Sequence, residues 1–289
     1  KKWGDKIYIR KEADIKVNLN TYKVGGDVNY QDLEAPDPIE MVVDHSFDWG
    51  FLEHDVINQQ TDLKDYVTKV LGKIAQRVRD AVEPEAITTI INQILEANNG
   101  NNGATAGVKS KAYNLGTIAA PIDLSLTEDS HTVDKLSVRA ANLVADLYGV
   151  LKEQNVLTAG QVPYVVAPYK FLNVLAKSAL QNGSYAEGGT TQGRGQKAVG
   201  MVQGCEIFTS NYVGAYTTGD GGAEADETGE VFPIICGVKD AVTWAQTITK
   251  MEQLRHPTKF ADIHRGMGIY GYKVIEPKAI ALAWVKFKA

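Results

Sequence analysis

The feature that most constrains this 289-residue sequence is a run of apolar residues at helical spacing between residues 61 and 95. Apolar side chains recur there at steps of three and four, which predicts an amphipathic helix with one apolar side. Thr61 is a suitable N-cap, and Pro84 should kink or restart the helix. Such a helix extends on the order of 50 Å, so it predicts a long spine. The apolar stripe comprises Leu63, Tyr66, Val67, Val70, Leu71, Ile74, Val78, Ile87, Ile90, Ile91, Ile94 and Leu95.

The segment before this helix, residues 5–56, predicts extended structure. Alternating apolar residues near its start indicate a strand with one buried face. Gly25-Gly26 predicts a turn, and residues 39–43 and 47–52 predict returning strands. The segment has few core residues for its length, so we expect a projecting β-hairpin arm. The alternating residues are Ile7, Ile9, Ile15, Val17 and Leu19.

The rest of the chain mixes helices and strands, which predicts the α+β class. A second helix is predicted at 132–153, and a short helix should begin at Pro168. Residues 181–196 and 214–230 are Gly-rich and predict loops. Strands are predicted at 162–167, 198–202, 205–210, 232–236, 241–248, 269–275 and 279–287.

A G-x-G-x-x-G motif at residues 266–271 is the strongest hint of enzymatic function. Dinucleotide binding needs a strand before these glycines and a helix after them, so that the pyrophosphate meets a helix N-terminus. A strand-like run and Pro277 follow instead. The motif therefore predicts a turn before a closing strand, and no cofactor.

Asp262 and His264, with His256 nearby, are conceivable metal ligands. No Cys or His pair elsewhere in the sequence supplies the rest of a recognisable metal-binding motif. Neither a nucleophile-elbow G-x-S-x-G nor a Walker A loop is present. We therefore predict no metal, cofactor or catalytic site, and a protein that is not an enzyme.

Charge and hydropathy exclude further classes. The formal net charge of −5 opposes a general nucleic-acid binder. Apolar runs fall far short of the roughly 18 residues that a bilayer span requires, so no membrane association is predicted. Cys205 and Cys236 lie in apolar strand-like runs, which predicts buried free thiols at least as well as a disulfide.

Three basic residues, Lys69, Lys73 and Arg77, fall four apart on one side of the long helix. We call them the basic ridge. One hypothesis is that the ridge lines an inner surface and meets nucleic acid or an acidic scaffold. The favoured alternative is an ordinary solvated face, balanced by Asp62, Asp65, Asp80 and Glu83.

Three stretches of the chain, in this order, resemble the major capsid proteins of tailed bacteriophages. Their shared architecture is the Johnson fold, which bacterial encapsulins and herpesvirus shell proteins also have. The first stretch is Gly25-Gly26-Asp27-Val28-Asn29-Tyr30-Gln31-Asp32-Leu33 with Val43-Asp44-His45-Ser46-Phe47-Asp48-Trp49-Gly50-Phe51 and Asp55. The second is Glu153-Gln154-Asn155-Val156 with Val165-Val166-Ala167-Pro168-Tyr169-Lys170-Phe171-Leu172. The third is Phe260-Ala261-Asp262-Ile263-His264-Arg265-Gly266 with Tyr270-Gly271-Tyr272-Lys273-Val274 and Pro277-Lys278-Ala279.

The resemblance, which is to the short-tailed phage branch, implies a layout for the whole chain. It implies an N-terminal arm and E-loop hairpin at 1–56, and a P domain with the spine helix at 57–155. An A domain is implied at 156–250, and a return to the P-domain sheet at 251–289.

The resemblance also implies a function. Hexamers and pentamers of the chain would form an icosahedral shell in the host cytoplasm, enclosing double-stranded DNA without sequence recognition in the virion. Scaffolding and portal proteins are implied partners, and a decoration protein is compatible with this arrangement. Lys23, Asp27, Gln31 and Asp32 are the candidate E-loop contacts with a neighbouring subunit.

The alternatives are an encapsulin-like compartment enclosing cargo enzymes, a dinucleotide-binding enzyme, and a fibre or adhesion protein built on the β arm. Nucleic acid inside purified particles would favour the phage shell, and a bound cargo enzyme would favour the compartment. Cofactor titration tests the enzyme, and a closed spherical particle would exclude the fibre.

Some relatives of this fold join subunits through an isopeptide bond between a Lys of the E-loop and an Asn of the P domain. Lys23 could supply the amine and Glu276 the assisting carboxylate. However, residues 212–289 contain no Asn, and the nearby amides of Gln246 and Gln253 are one methylene longer. The sequence therefore predicts a shell without covalent cross-links.

Overall fold

The structure is a computed structural model that describes residues 4–10, 19, 36–56, 66–100, 112–124, 133–157, 160–176, 201–216 and 230–287. Within these residues it contains three α-helices and three β-sheets, which confirms the α+β class. The chain divides into two compact units. The first unit comprises residues 1–64 and 244–273, and the second comprises residues 65–243 and 274–289.

The helices are α1 (Tyr66–Asn92), α2 (Val133–Glu153) and α3 (Tyr169–Ala176). The strands are β1 (Lys6–Ile9), β2 (Ile39–Val42), β3 (His45–His54), β4 (Ile122–Asp123), β5 (Tyr164–Ala167), β6 (Met201–Val202), β7 (Cys205–Thr209), β8 (Val231–Gly237), β9 (Val242–Arg255), β10 (Ala261–Val274) and β11 (Ile280–Lys286). Short 3-10 turns lie at Glu96–Asn98, Lys239–Ala241 and Pro277–Ala279.

Two sheets build the first unit. β1 and β2 pair antiparallel, with Ile7 opposite Met41, and β3, β10 and β9 form a three-stranded sheet in that order. The predicted strands at 39–43 and 47–52 are therefore confirmed, as β2 and β3. The predicted turn at Gly25-Gly26 lies outside the described residues.

The second unit is built on a six-stranded sheet in the order β4-β11-β8-β5-β7-β6. The predicted helix at 132–153 is confirmed as α2, and the short helix after Pro168 is confirmed as α3. The apolar side of α2 is buried against this sheet, because a sheet face of apolar residues must be covered to exclude water. The buried residues of α2 are Ala140, Leu143, Val144, Leu147, Val150 and Leu151.

The spine helix α1 is continuous from Tyr66 to Asn92 and contains Pro84 in its interior. The predicted restart at Pro84 is therefore wrong. A helix-interior proline loses a hydrogen bond, at about 3 kcal/mol, and contacts outside the helix offset this loss. Ser210 donates a hydrogen bond to Glu83 (2.8 Å), and the Tyr212 hydroxyl donates one to Asp80. At its observed length α1 extends roughly 40 Å.

Cys205 and Cys236 are buried free thiols, which is one of the two arrangements that the sequence left open. They lie on β7 and β8, on either side of β5. The hydrogen bond to Cys205, together with burial, raises the pKa of the Cys236 thiol. A thiol with a raised pKa forms little thiolate near neutral pH, so Cys236 is a structural residue of the core.

Candidate assembly surfaces

One face of the three-stranded sheet in the first unit carries a row of aromatic rings. Phe47, Trp49 and Phe51 alternate along β3 and therefore point to the same side. The rings of Trp49 and Phe51 stack with centroids 6.1 Å apart, and Phe51 stacks on the His264 imidazole at 4.9 Å. We call this side of the sheet the ring face.

The glycines of the G-x-G-x-x-G motif leave room for these rings. In the register of β3 and β10, Gly266 lies opposite Trp49 and Gly268 lies opposite Phe47. A Cβ at Gly266 would lie 2.5 Å from Cζ2 of Trp49, and a Cβ at Gly268 would lie 2.3 Å from Cζ of Phe47. The rings of Trp49 and Phe47 therefore lie over these glycines of β10, the central strand of the sheet. Any residue larger than glycine at either position would displace the ring that covers it.

The predicted turn at residues 266–271 is wrong, because the whole motif lies inside β10. Strand β10 continues through these glycines to Val274, so they do not form the turn into a helix N-terminus that dinucleotide binding requires. The sequence did contain a usable signal. Glycines two residues apart match aromatic residues two residues apart in β3, and this pairing is typical of rings covering glycines in an antiparallel sheet.

A second group of rings spans all three strands of this sheet. His45 of β3 stacks on Tyr270 and Tyr272 of β10, with centroids 5.1 Å away in both cases. Trp244 of β9 stacks on the same two tyrosines at 5.4 and 5.5 Å. Stacked rings across neighbouring strands stabilise a sheet and fix its register.

Ionic contacts join the strands at the end of the ring face that lies away from His45. Arg255 donates hydrogen bonds to Asp55 (2.7 Å) and Asp262 (3.1 Å). The hydrogen bond from Arg255 holds the pKa of Asp55 below its ordinary value. His264 pairs with Glu53 at 2.8 Å.

The residues weighed as metal ligands are not brought together. Asp262 and His264 have the partners just described, and the ring of His256 accepts hydrogen bonds from backbone N–H groups of its own turn at 3.1 and 3.0 Å. Within the described residues there is no group of three or more side chains that could hold a metal ion.

The basic ridge lies on α1, and Lys69, Lys73 and Arg77 are all exposed. Arg77 is 86 % exposed, and its guanidinium lies 3.9 Å from the carboxylate of Asp80. The side chain of Asp80 also accepts a hydrogen bond from Tyr212, which raises the pKa of that phenol. The ridge is therefore exposed in the single chain, and whether it meets DNA or scaffold in an assembly stays a prediction.

The candidate E-loop residues Lys23, Asp27, Gln31 and Asp32 lie outside the described residues. The prediction that they contact a neighbouring subunit therefore stays a prediction. Among the helices that the structure describes, none combines the length and apolar character needed to cross a membrane.

No protein-family model and no curated protein sequence matches this chain. Solved structures do match it. The structure of the mature capsid of bacteriophage PhiM1 aligns with 99% of this chain and with 82% of the PhiM1 chain, at 14% sequence identity and a TM-score of 0.57. The capsid of Ralstonia phage GP4 matches 100% of this chain and 85% of its own, with 12% identity and a TM-score of 0.57.

A bacterial compartment matches as well. The SrpI encapsulin of Synechococcus elongatus covers 96% of this chain and 80% of its own, with 10% identity and a TM-score of 0.51. The fold of the chain is therefore that of shell-forming capsid proteins. More particularly, it is the fold of the capsid proteins of tailed bacteriophages, as the resemblance in the sequence implied.

Proposed function

We propose that this chain is the major capsid protein of a tailed bacteriophage, a subunit that self-assembles into an icosahedral shell around double-stranded DNA. The observation that carries the proposal is similarity over the full chain: the PhiM1 and GP4 capsids match 99% and 100% of it. Such a subunit needs surfaces for several neighbours, and the ring face and α1 both present exposed side chains for this purpose.

The proposal assigns roles along the chain. Residues 1–56 form the arm and E-loop, which contacts a neighbouring subunit through Lys23, Asp27, Gln31 and Asp32. Residues 57–155 form the P domain around the spine helix, 156–250 the A domain, and 251–289 the return to the P-domain sheet. The length of α1 supports the role of a spine, since its 27 residues are more than twice the length of an average helix.

The partners follow from the same proposal. Hexamers and pentamers of the chain assemble in the host cytoplasm with scaffolding and portal proteins, and the finished shell is part of the virion. The formal net charge of −5 keeps unassembled subunits soluble and disfavours tight binding to the packaged DNA. A decoration protein could add stability to the outer surface.

Assembly is the direct test of this function. Expressed together with its scaffold, the protein should form closed shells tens of nanometres across, visible by negative-stain electron microscopy. Shells that contain nucleic acid after infection would support the phage assignment. A protein that stays monomeric under all such conditions, and that no virion contains, would show the proposal to be wrong.

An encapsulin-like compartment is the second candidate, and the similarity to the SrpI encapsulin favours it over other classes. Both candidates form closed shells, so particle contents decide between them. Mass spectrometry that identifies a single stoichiometric enzyme inside particles without nucleic acid would favour the compartment.

The basic ridge gives a prediction about the inner surface. If the ridge faces the interior, replacing Lys69, Lys73 and Arg77 with Gln should reduce DNA retention or scaffold binding severalfold at low salt, and the difference should shrink as salt rises. Filter-binding assays of scaffold and measurements of packaged DNA give the readout.

The control variant has the same change in net charge at positions away from the ridge. It replaces three exposed lysines with Gln, namely Lys239, Lys259 and Lys278. The control variant should behave like the wild type. Equal packaging and equal scaffold affinity in both variants would leave the ridge as a solvated face with no role in assembly.

Mature shells should contain no isopeptide bonds between subunits, because the closing P-domain strands, within residues 212–289, offer no Asn as the electrophile. A Gln side chain would misplace the carbonyl by about an ångström in a reaction that depends on close positioning. Boiled particles should therefore run as one band at the mass of a single subunit on a denaturing gel. A ladder of higher bands, with a Lys–Asn linkage identified by mass spectrometry, would contradict this prediction.

A further inference from the structure

One dipeptide after the spine helix is chemically labile by its sequence. Asn99 is followed by Gly100, and an Asn before a glycine loses its side-chain amide readily, because glycine has no Cβ to hinder the approach of its backbone nitrogen. Two further Asn-Gly pairs, at 102–103 and 182–183, lie outside the described residues. The pair at 99–100 is therefore the one whose surroundings can be compared with the needs of the reaction.

Deamidation requires two atoms of this dipeptide to meet. The Gly100 nitrogen attacks Cγ of the Asn99 side chain and closes a five-membered succinimide ring. The side-chain nitrogen leaves as ammonia, taking up the proton that the Gly100 nitrogen gives up. Water then opens one of the two C–N bonds of the ring. Cleavage at Cγ gives Asp, and cleavage at the backbone carbonyl carbon gives isoaspartate, whose main chain is one methylene longer.

The backbone of Asn99 is held away from this geometry. Ring closure needs the Gly100 nitrogen and the Asn99 Cβ eclipsed across the Cα–C bond, and the extended ψ of 142° keeps them far from eclipsed. The Asn99 N–H donates to the carbonyl oxygen of Glu96 (3.1 Å), and Asn99 forms a parallel β-bridge with Leu282 of β11. Rotation toward the reactive geometry would disrupt these contacts.

The side chain of Asn99 and the backbone of Gly100 are held as well. Oδ1 of Asn99 accepts a hydrogen bond from the Nε1–H of Trp284 (3.3 Å), and the Trp284 ring is buried in an edge-to-face contact with Tyr216. On the other side of the labile bond, Gly100 is buried against the backbone of Gly116. Neither reacting group can therefore turn toward the other while this region is folded.

We propose that Asn99 is a deamidation site that folding closes, so that only unfolded chains react there and the isoaspartate product cannot return to the native fold. The first half follows from the contacts of Asn99 and Gly100. The second half follows from the extra methylene, which lengthens the main chain where even a Cβ on Gly100 would lie 1.9 Å from the carbonyl oxygen of Gly116. Deamidation at Asn99 is then an irreversible mark on chains that stay unfolded, whether or not the protein forms a shell.

The first test measures the rate of deamidation at Asn99 in the full chain by peptide mass spectrometry, at mildly alkaline pH with increasing urea. Without urea the rate should be at least tenfold lower than in denaturing urea, and between these limits it should rise in step with the unfolded fraction. In denaturing urea Asn99 should react within twofold of Asn102 and Asn182, which are internal controls for the chemistry. A rate without urea within twofold of the denatured rate, or a rise that precedes unfolding, would overturn the inference.

The second test refolds chains that were partly deamidated in urea and separates folded from aggregated protein by size-exclusion chromatography. Isoaspartate at position 99, distinguished from Asp by electron-transfer fragmentation, should be depleted tenfold or more in the folded fraction. The variant Asn99→Asp is the matched control, because it carries the charge of the product without the extra methylene.

This control should refold with a yield within twofold of wild type. Equal proportions of isoaspartate at position 99 in the folded and aggregated fractions would overturn the second half of the inference. Failure of Asn99→Asp to refold would show that charge, and not main-chain length, blocks folding, and would overturn the reason given for it.

Discussion

Replacing Asn98 with Ala is expected to lower the free energy of unfolding by about 3–5 kcal/mol. The Asn98 side chain is completely buried at the end of the turn that follows α1. Its amide nitrogen donates to the carbonyl oxygens of Lys278 (2.7 Å) and Ile280 (2.9 Å), and its oxygen accepts from Gln154 (2.6 Å). Each buried partner left unsatisfied contributes about 1–3 kcal/mol of destabilisation.

Urea denaturation of the unassembled protein measures this loss, and Asn92→Ala is the control because Asn92 is exposed at the end of α1. The control should stay within about 0.5 kcal/mol of wild type. A loss below about 1 kcal/mol for Asn98→Ala would show that water replaces the amide, contrary to the prediction.

The substitution Asn98→Asp separates hydrogen bonding from packing, because it keeps the shape of the side chain. A carboxylate there would face the carbonyl oxygens of Lys278 and Ile280, and burial would raise its pKa. A group whose folded-state pKa is raised above about 4 destabilises more as pH rises. The difference in stability from wild type should therefore shrink as pH falls from 7 toward 4.

Replacing Gly100 with Ala should lower the free energy of unfolding by about 3 kcal/mol. An added Cβ would lie 1.9 Å from the carbonyl oxygen of Gly116 and 2.6 Å from the carbonyl carbon of Leu115. Both are backbone atoms, so no rotation of a side chain relieves the overlap. The Leu115 carbonyl also accepts a hydrogen bond from the Trp284 N–H at 2.7 Å, and any shift of this backbone would weaken that bond.

Gly72→Ala is the matched control for this clash. Gly72 lies in α1 with nothing within 4 Å of its added Cβ, so alanine there should stabilise the helix by about 1 kcal/mol. The two substitutions are chemically identical and should change stability in opposite directions. Thermal unfolding of both variants gives the comparison, and similar midpoints would show that the backbone around Gly100 adapts without loss.

Periodicity alone predicted much of the fold. The apolar stripe after residue 61 predicted α1, and the buried residues Val82, Ile87 and Ile91 lie on its apolar side. Spacing likewise predicted α2 and the strands β5, β7, β8 and β11 close to their observed bounds. These elements were predictable because each has an apolar pattern of its own, which local geometry relates directly to a helix or a strand.

Pairing across the chain decided the features that the sequence alone missed. Residues 249–255 and 261–268 mix charges with glycines and have no clear period, yet they belong to strands β9 and β10. They lie in a sheet whose central strand, β10, pairs with β3 from His45 to His54. Asn98 belongs to a run of Asn and Gly that is typical of loops, and its burial depends on Lys278 and Ile280, far away in sequence.

Local sequence patterns were therefore enough to establish the class, the long spine helix and the resemblance to capsid proteins. Folding established that the glycines at 266 and 268 lie under aromatic rings and that α1 continues through Pro84. It also decided which apolar residues stay exposed. A local sequence pattern shows which side of a helix or strand is apolar. Burial, hydrogen-bond partners and the space around a side chain depend on residues that are distant in sequence and come together only on folding.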